Sequence, residues 1–153
     1  MGLDMYLHAR KYLSSLNSKD QELIEKIAEL TENTRYGMQL TGLEYQVMYW
    51  RKANAIHNWF VKNVQNGVDD CRAYEVTLEH LDDLLRTLEK IGGSKELAAE
   101  LLPPCEGFFF GSSEMTEGYW ADLELTKQEL RSFLEDLGED IGWNWTVTYR
   151  SSW

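Results

Sequence analysis

The segment Tyr49 to His57 reads YWRKANAIH and holds the densest set of groups in the chain that can bind or react. It offers an indole (Trp50), two adjacent cations (Arg51 and Lys52), an amide (Asn54) and an imidazole (His57). At helical spacing Trp50, Asn54 and His57 fall at steps of four and three and share a face. Cations in the first turn of a helix oppose its dipole, so Arg51 and Lys52 point to some other use there. The use that fits is an anion held by both side chains and by the free backbone N–H groups of the helix N-terminus. The bland alternative makes Arg51 and Lys52 solvated, His57 a hydrogen-bonded core histidine and Trp50 a core ring.

A second region, Gly107 to Glu114, reads GFFFGSSE. A ring such as Phe109 next to a small hydroxyl such as Ser112 suits a planar base, stacked on its face and hydrogen-bonded at its edge. Against this stands a buried strand that leaves through a turn. Six tryptophans and eight tyrosines in so short a chain favour recognition, because such rings anchor pockets and interfaces.

A third group, Asp69, Asp70 and Cys71 with His57, has metal-ligand residue types, and a metal site needs three or four ligands converging at ~2.0–2.3 Å. The three histidines and two cysteines make no HxH, HxxxH or CxxC spacing, and adjacent aspartates more naturally cap a turn. No metal and no cofactor are expected. A Cys71–His57 nucleophilic pair competes with cysteine as a small buried hydrophobe. GxSxG, P-loop and GxGxxG patterns are all missing. With 26 acidic residues, paired carboxylates are too easily found to mean anything. No catalytic residue is assigned, and binding is favoured over catalysis, with Asp69 and His57 adding polar specificity.

These groups need elements to place them. Leu3 to Arg10 alternates apolar and polar residues and reads as a half-buried strand. Ser18 to Gln21 reads as a capping box ahead of a helix that turns Leu23, Ile24, Ile27 and Leu30 to one face. Arg35 to Gly42 reads as loop. Glu44 to Trp50 alternates again, with Tyr45, Val47 and Tyr49 on one side; the alternative is a helix that starts at Gly42. A helix over Lys52 to Gln65 follows, with Ala53, Ile56, Phe60 and Val64 in its stripe and Asn66-Gly67 as its stop. After a connector, Val68 to Val76, Thr77 caps a leucine-striped helix ended by Gly92-Gly93. Ser94 caps a short helix stopped by Pro103-Pro104. Gly107 to Gly111 reads as a strand or tight loop. Thr116 caps a long helix closed by Gly138, and Trp143 to Arg150 is the clearest strand.

The expected fold is α+β. It has a small, mostly antiparallel sheet of N- and C-terminal strands plus an inner strand, covered on one face by four to five helices. At 153 residues and 43% hydrophobic, the chain makes one domain, 1–153, with a core of its own. A net charge of −11 repels phosphate backbones and anionic membranes, so direct nucleic-acid and membrane binding are not expected, whereas a basic partner is favoured. The bland counterpart is that the charge only maintains solubility. Charges within the first apolar residues argue against a signal peptide, and no run approaches ~18 apolar residues, which points to the cytoplasm with reduced thiols.

MGLDMYL at the N-terminus, YWRKANAIHNWFV at 49–61, GFFFGSSE at 107–114 and the terminal YRSSW resemble a family of small proteins encoded by bacteriophages and prophages. The resemblance spans nearly the whole chain and implies a context inside an infected bacterial cell, where small phage proteins blunt host immunity. The expected function is a counter-defence accessory protein that sequesters a small nucleotide-like ligand or immune signal through Trp50, Arg51, Lys52, Asn54, His57, Asp69, Phe109 and Ser112. The alternatives are an acidic inhibitor of a basic host defence factor such as a CRISPR effector, and a small nucleotide or phosphoester hydrolase centred on His57. Exposed aromatic rings would also serve a homodimer.

Overall fold

The computed structural model describes residues 2–32, 39–105 and 112–153. The Gly107–Gly111 run, Phe109 included, and part of the Arg35–Gly42 loop lie outside the described residues. In chain order the elements are β1 (Asp4–Tyr12), α1 (Ser18–Leu30), β2 (Gly42–Arg51), α2 (Asn54–Asn63), β3 (Tyr74–Val76), α3 (Leu78–Ile91), α4 (Lys95–Leu101), α5 (Glu117–Leu137) and β4 (Trp145–Ser152). A short 3₁₀ turn, Gly138–Asp140, leads out of α5.

The fold is α+β. Four strands form one antiparallel sheet in the order β2-β1-β4-β3, so the two terminal strands pair at its centre. The inner strand at 44–50 forms as β2, not as helix. β3, hidden in what read as a connector, is an additional strand; at three residues it is too short for period-two alternation to register.

Alternation along β1 turns Met5, Leu7 and Ala9 into the core, where they meet Trp50 and Met48 of β2 and Val147, Tyr149 and Ser151 of β4. α2, α3 and α5 bury Ile56, Phe60, Leu81, Leu84, Leu88, Leu123 and Leu130 in the same cluster. The opposite face of β1 carries Asp4, Tyr6, His8 and Arg10, none of them buried. Phe60 lies almost flat on Tyr149, with centroids 3.9 Å apart and planes 6° off parallel. Such a pair adds roughly 0.5–1.5 kcal/mol to its burial.

The alternation in β2 is broken by a bulge. Leu7 pairs with Met48 and His8 with Gln46, so Val47 is left over and the face switches. Tyr49 therefore meets Tyr6 at 5.4 Å on one face, while Tyr45 meets Trp145 at 5.7 Å on the other. The single stripe of Tyr45, Val47 and Tyr49 read from the sequence does not exist.

Helix bounds follow the expected chemistry with two shifts: the helix expected over Lys52 to Gln65 runs Asn54–Asn63 and ends at Val64, before the Asn66-Gly67 pair, and the first cap also moves. Thr77, Ser94 and Thr116 cap α3, α4 and α5. The α1 cap is Asn17, one residue ahead of Ser18, with its side chain accepting from Lys19 and Asp20 backbone N–H groups. Asn is at least as good a cap as Ser, and it comes first along the chain. α1 buries no residue fully, and Leu30 is 84% exposed, because the helix packs only weakly on the rest of the fold. At the other end of the chain Trp143 is 89% exposed and precedes the strand, which begins at Trp145. Gly138 continues helically (φ −54°) and does not close α5 in a left-handed cap. No helix among the described residues is long and apolar enough to cross a membrane.

Candidate ligand-binding cleft

β2 ends at Arg51 and α2 starts at Asn54, so two residues must turn the chain from strand to helix. Lys52 makes that turn with φ +60°, a left-handed conformation that costs a side-chain-bearing residue about 1–2 kcal/mol. Its backbone is fixed on both sides. The Lys52 N–H donates to Leu3 O at 2.8 Å, and Lys52 O accepts from Asn54 N–H at 2.9 Å. Its aliphatic stem lies against Gly2, where a Cβ would sit 3.1 Å from Lys52 Cε.

The next residue, Ala53, holds the N-cap position of α2 and has no side-chain atom that can cap. The positive end of this helix therefore has no capping oxygen of its own. It opens into a cavity of about 220 Å³. One wall is Arg51, Lys52, Ala53 and Asn54; the other is the start of α5, with Gly118, Tyr119 and Asp122, reached through Ser112, Glu114 and Thr116.

Arg51 is mostly exposed and touches only the edge of a carboxylate, with Nε 4.0 Å from Asp4 Oδ1. Tyr119 is fixed by donating to Leu102 O at 2.8 Å, and burial pushes its phenol up to about 12. Burial likewise raises the Asp122 carboxyl above the ordinary aspartate value.

Four of the residues singled out from the sequence line this cavity: Arg51, Lys52, Asn54 and Ser112. Asn54, however, is buried and holds the fold. Its Nδ2 donates to Ser112 O at 2.8 Å and its Oδ1 accepts from Cys105 N–H at 3.1 Å, which ties the chain on either side of residues 106–111 to α2. Trp50 does not line the cavity. It is strand, not helix, so the expected Trp50–Asn54–His57 face is absent; the ring is buried against Phe60 and its N–H donates to Thr126 Oγ1 at 2.8 Å. A ring held this way has no face to offer a base.

His57 and Asp69 also lie away from the cavity, in a closed chain of hydrogen bonds. Tyr149 OH is 2.7 Å from His57 Nδ1, His57 Nε2 is 3.0 Å from Asp69 Oδ2, and Trp153 Nε1–H donates to Asp69 Oδ1 at 3.1 Å. Burial first, then the charge of Asp69 and of Cys71, holds the Tyr149 phenol well above its usual value. A carboxylate only accepts, so His57 Nε2–H donates to Asp69.

The imidazole is 2% exposed and turned to Tyr149 and Asp69, not to Cys71 as a nucleophilic pair would require. Asp70 points elsewhere: it accepts from the Arg72 backbone at 3.1 Å and from Tyr74 OH, and Arg72 holds its carboxyl below the normal range. This is the turn-capping role. Among the described residues no three His, Cys, Asp or Glu side chains are grouped to hold a metal.

Sequence reasoning found one wall of the cavity and missed the other. Glu114, Thr116, Tyr119 and Asp122 come from some sixty residues further along the chain, and no local spacing marks them. Compared with known protein families, with curated proteins and with solved structures, the chain matches none.

Proposed function

We propose that the protein binds and sequesters a small nucleotide-like ligand in the β2–α2 cleft, as an accessory protein of a phage or prophage that withdraws a nucleotide signal from host defence. One observation carries the reading: Arg51, Lys52 and the start of α2, whose N-cap Ala53 has no capping side chain, open into the same cavity. A phosphoryl group there meets two cations and a helix N-terminus at once. The strained Lys52 backbone fits a ligand-holding position, since such strain collects at functional sites. The cavity, at about 220 Å³, is below the ~300–1,000 Å³ of drug-sized sites, so it encloses part of a mononucleotide and leaves the rest at its open mouth. The host-defence context rests on the resemblance of the MGLDMYL, YWRKANAIH and GFFFGSSE segments to phage proteins.

A hydrolase centred on His57 finds less support, because its imidazole is buried and both ring nitrogens are engaged. Calorimetric titration with a panel of mononucleotides and cyclic nucleotides tests the binding reading. The expected result is saturable binding by the wild type, weakened at least ~10-fold in Arg51→Ala. Wild-type protein that binds none of them at millimolar concentration overturns it.

A further inference from the structure

We infer that Asp122 sets the preference of the cleft by accepting the donor edge of a guanine base, so that the nucleotide held is a guanine nucleotide; this rests on the nucleotide-binding reading above. Asp122 stands on α5 and lines the same cavity as Arg51 and Lys52, which come from the β2–α2 junction. Its neighbours on that helix have partners: Glu124 receives Lys127 and Gln128, and Arg131 reaches Glu89. Among the described residues nothing donates to the Asp122 carboxylate, although the group is half-buried and the Thr126 hydroxyl next to it bonds only its backbone oxygen, at 2.6 Å. A desolvated carboxylate without donors is costly, and it is kept at the cavity wall rather than turned out to water.

The cleft is therefore bipolar. Cations and a helix N-terminus form one side; Asp122, with the exposed Glu114 at the rim, forms the other. A ligand that is only an anion meets repulsion from the second side. The ligand that satisfies both carries an anion at one end and N–H donors at the other. A carboxylate is purely an acceptor and is best met by two parallel N–H groups. Of the common bases, guanine alone shows two adjacent donors, N1–H and the N2 amino group. Adenine and cytosine set one amino group beside an acceptor nitrogen, which would face the second carboxylate oxygen. Uracil sets one N–H between two carbonyls.

The test is titration of the full chain and of Asp122→Asn with GMP, IMP and AMP; IMP keeps N1–H and lacks the N2 amino group. The expected order for the wild type is GMP, then IMP, then AMP, with GMP at least ~10-fold over AMP. Asp122→Asn brings the three within ~2-fold of one another while retaining the binding that Arg51→Ala weakens at least ~10-fold. Equal wild-type affinities, or a guanine preference that survives Asp122→Asn, overturn the inference and leave the nucleotide-binding reading standing. No binding of any of the three by the wild type overturns both.

Discussion

Two polar regions grow from the same nine-residue segment and are built in opposite ways. At the His57 cluster every group meets a counterpart: phenol to imidazole, imidazole to carboxylate, carboxylate to indole, with the Phe60 ring stacked on the phenol. At the β2–α2 junction, a few residues earlier, the groups are left open. Arg51 barely reaches Asp4, the N-cap Ala53 has no capping side chain, Lys52 is strained and, among the described residues, nothing donates to the Asp122 carboxylate. Satisfied polar networks fix a core, whereas open and strained groups lower stability and await something else. The difference teaches that the residue types of a motif do not reveal its use; the degree to which neighbours satisfy them does.

The contrast can be broken most forcefully at Tyr149. Tyr149→Ala removes a fully buried ring, the stack on Phe60 and the His57 partner, and is expected to cost about 3–5 kcal/mol in denaturant melts. Tyr149→Phe keeps the ring and strands His57 Nδ1, for about 1–3 kcal/mol. If either substitution changes ligand affinity while leaving stability intact, the cluster is not the structural half of the pair.

Arg51→Ala should do the reverse. Stability is expected to stay within ~0.5 kcal/mol, since the side chain is exposed and its ion pair is long, while ligand affinity falls at least ~10-fold. Smaller still is Lys52→Gly, which removes the left-handed strain. It should raise stability by up to ~1 kcal/mol and weaken ligand binding, a trade read by comparing melting with titration.

The subtlest prediction concerns pH. Burial raises the Asp122 carboxyl in the folded state above its unfolded value of ~3.9, so the folded protein holds this proton more tightly. Between the two values the folded state binds more protons, and ionisation as pH rises through that window costs stability. Asp122→Asn is therefore expected to melt higher than wild type at neutral pH, with the advantage vanishing as pH falls below ~3.9. An Asn variant that is less stable at neutral pH would mean that the carboxylate has a partner in the fold and belongs with the closed region.

Much of the architecture was legible in the residues. Caps at Thr77, Ser94 and Thr116 and the alternation of β1 and β4 each rest on local backbone chemistry. Local pattern was not enough where a tertiary event intervened. The bulge at Val47 split an apparent stripe, α1 presented an apolar face that the core covers only in part, and Trp143 fell outside its strand. The candidate site was legible on one side. Arg51, Lys52, Asn54 and Ser112 were found from their types and spacing, but Trp50 and His57 were drawn into the interior, half-buried Asp69 was tied to His57, and Asn54 became a clasp for Cys105 and Ser112.

By itself the sequence determined the α+β class, the pairing of its terminal strands and the place where a strand hands over to a helix with two cations at the joint. Those features follow from short-range periodicity, capping and turn chemistry, which need only a few neighbouring residues. Only the tertiary structure decided which polar groups became satisfied and which stayed open. That outcome depends on contacts between residues as far apart as His57 and Tyr149, or Trp50 and Thr126, and no spacing along the chain encodes which distant side chain will arrive.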